Sequence, residues 1–101
     1  MSDKEIHPMD EAKRQRLQDM YPDTELIFYD NYDDAMIGVV TQFGAEPKVC
    51  YDYHRCIAIL MAQGMDDEEA LEWFNYNTIG SYVGPCTPVF LEKDGTEWMN
   101  Y

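Results

Sequence analysis

The chain has no long apolar run, few cysteines and few bases, and each shortage excludes something. No stretch approaches the roughly 20 apolar residues of a membrane-spanning helix. Residues Met1 to Arg16 are polar and charged, which is unlike a secretory signal. Three cysteines make an odd count without a disulfide framework to read. These features set the expectation of a cytoplasmic protein. Only seven bases stand against 20 acids, for a formal charge of −13. That balance disfavours binding a phosphate backbone directly. The expected partner is instead basic. No serine nucleophile motif, phosphate-cradling glycine loop or dinucleotide fingerprint occurs, so the chain is not expected to be an enzyme or to need a cofactor.

What is present is enough for one domain. The 101 residues fit one unit. A 46% hydrophobic content can build a core, and 14% aromatic residues are unlike a disordered chain. The expectation is a single domain over 1–101, with residues 1–9 flexible.

Met9 to Met20 is predicted to form a helix holding Lys13, Arg14 and Arg16, with Pro22 closing it. Glu25 to Tyr29, Ala35 to Phe43 and Lys48 to Tyr51 read as three strands in a meander, β-branched at Val39, Val40 and Thr41. Gly44-Ala45-Glu46-Pro47 is a turn. Asp52 is a candidate N-cap for a helix running to Gln63, with Gly64 as the left-handed residue after it. Cys56, Ile57, Leu60 and Met61 mark its buried stripe. Asp66 and Glu69 have capping-box spacing for a second helix, with acids filling its first turn. Ala70, Leu71, Phe74, Thr78 and Tyr82 follow its inward face, and Gly84-Pro85 ends it. Thr87 to Lys93 and Thr96 to Asn100 flank Asp94-Gly95, a hairpin composition. The fold class is therefore α+β: an N-terminal helix, a largely antiparallel sheet of about five short strands, and two central helices on one face.

Several clusters invite a chemical reading. Asp30, Asp33 and Asp34 could hold a hard cation, but Ala35 and Thr41 stand where a calcium loop needs Gly and Glu. A solvated loop explains them better, although a metal-dependent enzyme remains an alternative. Cys50, His54, Cys56 and Cys86 lack the paired spacing of a zinc site. Cys56 lies on the apolar stripe and Cys86 has no neighbouring base, so neither reads as a nucleophile. No metal site is expected. Asp66, Asp67, Glu68, Glu69 and Glu72 concentrate charge in one run. A helix dipole explains most of it, while a patch for Lys and Arg of a partner is the functional reading. Asp30, Asp33 and Asp34, with Asp19, Asp23 and Glu25, would supply a second patch, and Trp73 and Tyr76 aromatic contacts. The stretch Asn75 to Gly84 is unusual, because Asn75, Asn77 and Gly80 are poor interior helix residues. Such conflict falls at close packing or at a working site; local backbone bonding by the two Asn side chains is the favoured reading.

The pattern Asp34-Ala35-Met36-Ile37-Gly38, then Tyr51-Asp52-x-x-x-Cys56-Ile57-x-Ile59-Leu60, then Gly64-Met65-x-x-x-Glu69-Ala70-x-Glu72-x-Phe74-x-x-Asn77-x-x-Gly80-x-Tyr82-Val83-Gly84, then Thr87-Pro88 resembles a family of small uncharacterised proteins found in phages, prophages and bacterial genomes. The likeness runs from Glu25 to Leu91. It implies a fold and a phage-linked setting, not a mechanism. By analogy with small acidic phage proteins it suggests an inhibitor, acting as a DNA mimic on a host nuclease or CRISPR effector. The other non-enzymatic reading is an assembly module, for instance a homodimer joined through Trp73, Tyr76, Trp98 or Tyr101.

Overall fold

The computed structural model describes residues 8–93, with side chains from residue 11 onward. The Asp94-Gly95 turn, the strand expected after it, Trp98, Tyr101 and most of the N-terminal segment lie outside the described residues.

The first helix, α1, spans Pro8–Met20, close to its expected bounds. A short 3-10 turn at Asp33–Ala35 leads into β1, Met36–Val40. Strand β2 is Lys48–Asp52, and α2, Tyr53–Ala62, follows without a gap. Helix α3 is Asp67–Phe74, continued by a π-helical segment at Asn75–Ile79. Strand β3, Val89–Leu91, closes the described chain. Among the described residues no helix is long and apolar enough to cross a membrane.

The α+β class holds, but the sheet has three strands among the described residues, not five. It is also mixed. Strand order is β1-β2-β3, with β1 antiparallel and β3 parallel to β2. The parallel pair follows from the connection: α2 and α3 carry the chain back so that β3 enters alongside β2 in the same direction. Val49, Cys50 and Tyr51 are consecutive on β2 and all buried. Neighbouring strand residues point to opposite faces, so both faces of this central strand are covered.

The expected strand at Glu25 to Tyr29 has no regular secondary structure and joins no ladder in the described chain. Side chains take its backbone groups instead. Leu26 N–H donates to Gln18 Oε1 at 3.0 Å, and Tyr29 N–H to Tyr51 Oη at 2.8 Å. Gln18 Nε2 donates to the Thr24 carbonyl at 2.6 Å, and Arg14 Nη2 to that of Tyr29 at 3.2 Å. Leu26 is nonetheless buried. The apolar content was read correctly and the pairing was not. The second strand also ends earlier than expected. Ala45 N–H bonds the Gln42 carbonyl at 3.0 Å, and Gly44 has φ +82°, which a turn of this kind requires at its third residue. Phe43 thus sits on the turn, fully exposed.

The helices obey their caps. Asp52 Oδ1 accepts from Arg55 N–H at 3.1 Å, and Gly64 has φ +114° after the α2 C-terminus. Cys56, Ile57 and Leu60 are buried as the stripe requires, while Met61 is exposed. On α3, Ala70, Phe74 and Thr78 face inward, whereas Leu71 and Tyr82 are exposed. Helical structure stops at Ile79, before Gly84-Pro85. An aromatic cluster fills the core. Phe74 meets Phe90 at 5.0 Å and both Tyr32 and Tyr53 at 5.4 Å between ring centroids. Tyr51 lies 5.9 Å from Tyr29 and 6.0 Å from Phe90.

Candidate functional site: an acidic and aromatic groove on the third helix

The two acidic clusters behave differently. Asp33 turns inward. Its carboxylate accepts two hydrogen bonds from Arg14, each 2.7 Å, and its side chain is only 7% exposed. Arg14 also lies 3.6 Å from Asp30 and over the Phe28 ring, 5.4 Å from its centroid. The Asp33 bond, working against the cost of burial, raises the Arg14 pKa and keeps the guanidinium charged. Asp30 and Asp34 remain exposed. The trio expected to form one patch is therefore divided, and Asp33 has no surface to offer a partner. Among the described residues no group of three or more His, Cys, Asp or Glu is arranged to hold a metal.

Cys50 and Cys56 are buried and Cys86 is partly exposed. Burial, helped by the charge of Asp52, pushes the Cys56 thiol up to about 12. A neutral buried thiol is a core group and not a nucleophile.

The second acidic cluster is exposed throughout. Part of it serves the helix. Glu69 N–H donates to Asp66 Oδ1 at 2.8 Å, and Asp66 N–H to Glu69 Oε1 at 3.2 Å, completing the capping box. Asp67 Oδ1 accepts from Glu68 N–H at 2.8 Å. These bonds occupy backbone donors that a helix start leaves unpaired. Glu72 lies beyond the first turn, and its side chain makes no hydrogen bond or ion pair with another described residue.

Glu69, Glu72, Trp73 and Tyr76 follow one another at i, i+3, i+4 and i+7, which is one face of a helix. Together with Asn75 and Asn77 they line an open groove of about 660 Å³. Trp73 is 42% exposed and Tyr76 is 85% exposed. The groove joins expected acidic residues to both expected aromatic contacts. Asp30, Asp34, Asp66, Asp67 and Glu68 are not among its described lining residues.

The π segment was not foreseen as such. Gly80 N–H reaches back five residues to the Asn75 carbonyl at 3.1 Å. A Cβ on Gly80 would stand 3.0 Å from the Tyr76 carbonyl oxygen, so any larger residue would push that backbone aside by a few tenths of an ångström. The wider turn changes the angular position of the side chains after Phe74. Asn77 Nδ2 donates to the Trp73 carbonyl at 3.1 Å, and Asn75 Oδ1 accepts from Tyr53 Oη at 3.3 Å. Asn77 is thus tied to local backbone as expected, whereas Asn75 bonds a side chain 22 residues away on α2; both still border the groove. The conflict of Asn75, Asn77 and Gly80 with helix propensity was the signal available in the sequence.

No family model, curated protein or solved structure matches this chain. The groove's own chemistry is what remains to reason from. It offers carboxylates and aromatic faces, and none of its described lining residues is basic. Such a surface suits a cation carried on a partner.

Proposed function

We propose that the chain is a non-enzymatic acidic binding protein that docks on a basic surface of another protein through the α3 groove. The juxtaposition of Glu69 and Glu72 with Trp73 and Tyr76 in one groove carries this reading. A net charge of −13 supports it by drawing a basic partner in from a distance. A basic surface of this kind is typically one that binds nucleic acid, and occupying it would inhibit that protein by exclusion. The phage-linked setting that the sequence resemblance implies makes a host defence nuclease, such as a CRISPR effector, the partner proposed. Self-association through the same groove is the competing reading. It would bring two highly negative chains together face to face, which Coulomb repulsion opposes.

Affinity capture from bacterial host cells with the full chain, followed by mass spectrometry, tests the proposal. The expected result is a basic nucleic-acid-binding protein whose retention falls as salt rises from about 0.05 to 0.5 M, because screening shortens the reach of exposed charges. The pair Glu68→Lys and Glu72→Lys leaves the capping box intact and should weaken capture at least about tenfold. Unchanged capture after this reversal would remove the groove from the function. A salt-insensitive dimer in light scattering would favour self-association instead.

A further inference from the structure

The groove takes one kind of cation in particular, and this step rests on the docking site proposed above. Two features select among cations. The first is exposed aromatic surface: Trp73 and Tyr76 stand one helical turn apart and both line the groove. A planar guanidinium can stack on such faces, while an ammonium makes a point contact and holds its water more tightly. The second is the supply of acceptors beside them. Glu72 has both carboxylate oxygens unengaged among the described residues, and Glu69 uses Oε1 for its cap and keeps Oε2. Asn77 is oriented by its bond to the Trp73 carbonyl, which uses one of the two amide N–H groups and leaves Oδ1 as an acceptor. These acceptors, like the aromatic pair, are spread over α3 and its π-helical continuation and line the same groove. An arginine fork carries five N–H donors in a plane and can meet several of them at once; lysine has three donors at one point.

We infer that the groove is an arginine-recognition site, formed by Trp73 and Tyr76 as stacking faces and by Glu69, Glu72 and Asn77 as acceptors. The occupant is an arginine side chain on the basic face of a partner protein. Charge complementarity fixes the sign of the occupant, and the aromatic pair with its flanking acceptors fixes arginine over lysine.

Isothermal titration of the full chain separates this inference from the broader one. The probes are three unstructured peptides that alternate glycine with arginine, lysine or glutamine. Arginine and lysine peptides carry equal charge. The expected result is about tenfold tighter binding of the arginine peptide than of the lysine peptide, the size of one good stacking contact. Trp73→Leu and Tyr76→Leu together should erase the preference while leaving weak, salt-sensitive binding of both. Circular dichroism on that variant shows whether its helices persist, and Asn77→Ala provides a milder second variant that should reduce the preference. Equal binding of the two basic peptides, both above the glutamine peptide, would overturn arginine recognition and leave docking on a basic surface standing. No binding of either basic peptide would overturn both. A preference that survived loss of both aromatic side chains would overturn the assignment to this groove.

Discussion

Replacing Asp33 by Ala should cost the protein more than any other single acid in the Asp30 to Asp34 segment. The Arg14 side chain is 16% exposed and Asp33 7%, so the pair is largely withdrawn from water. Removing one partner of a buried pair typically costs 3–5 kcal/mol, because the other charge is left without compensation. Arg14 would keep the Tyr29 carbonyl at 3.2 Å and Asp30 at 3.6 Å, the latter with a side chain 87% exposed. That residual help places the expected cost at the low end, about 3 kcal/mol. A small domain has only about 5–15 kcal/mol in all. With a urea dependence of about 1–2 kcal/mol per molar, the unfolding midpoint should fall by roughly 1.5–3 M. The melting temperature should drop by on the order of 15 °C. Asp34→Ala is the control, since Asp34 is exposed and should cost no more than about 0.5 kcal/mol. The double variant Arg14→Met with Asp33→Leu should recover much of the loss, because no charge is then stranded. Urea titrations followed by circular dichroism measure all three. Equal midpoints for Asp33→Ala and Asp34→Ala would refute the account of Asp33 as an interior ion-pair member.

Two further outcomes follow from the same geometry. Under a mild thiol reagent at pH 8, native protein should label quickly at Cys86 alone, with Cys50 and Cys56 reacting only on unfolding; mass spectrometry reads the sites, and Cys56 labelling at the Cys86 rate would contradict its buried, neutral state. Asp52→Ala should destabilise by about 1 kcal/mol at neutral pH through loss of the α2 cap. Burial alone would raise the Asp52 pKa, but the Arg55 N–H and Lys93, whose Nζ lies 3.1 Å away, outweigh it and hold the carboxyl below its ordinary 3.8. A depressed carboxyl contributes stability above 3.8 that is lost as pH falls through its lower folded value, so the gap between variant and parent should close below pH 3.8. A gap that stayed constant with pH would count against the charged cap.

Local signals in the sequence were sufficient for the starts of α2 and α3 and for the end of α2, though not for the π segment or the stop at Ile79. The Asp52 and Asp66 caps, the Glu69 return bond and the Gly64 stop each act within a few residues, so their chemistry can be read along the chain. The same holds for the shared face of Glu69, Glu72 and Trp73, which α-helical spacing aligns, while the position of Tyr76 depends on the π segment. Reading them as two separate features, an acidic run and a pair of aromatics, missed that they line one groove.

Strand pairing was less legible, because it depends on partners distant in the chain. Glu25 to Tyr29 has strand composition, yet its backbone bonds went to Gln18, Arg14 and Tyr51. The direction of β3 depended on where α2 and α3 return the chain. Asp33 was the sharpest case. Beside Asp30 and Asp34 it looks like one more surface acid. Its engagement by Arg14, 19 residues earlier, is what takes it inside.

The sequence by itself determined the charge, the caps of α2 and α3 and the inward placement of Ala70 and Phe74, because these depend on composition and on neighbours within one or two turns. The tertiary structure alone decided which acids face water, which strands pair, and that carboxylates and aromatic rings share one groove. Burial and long-range hydrogen bonds are properties of the packed chain, and no local window contains them.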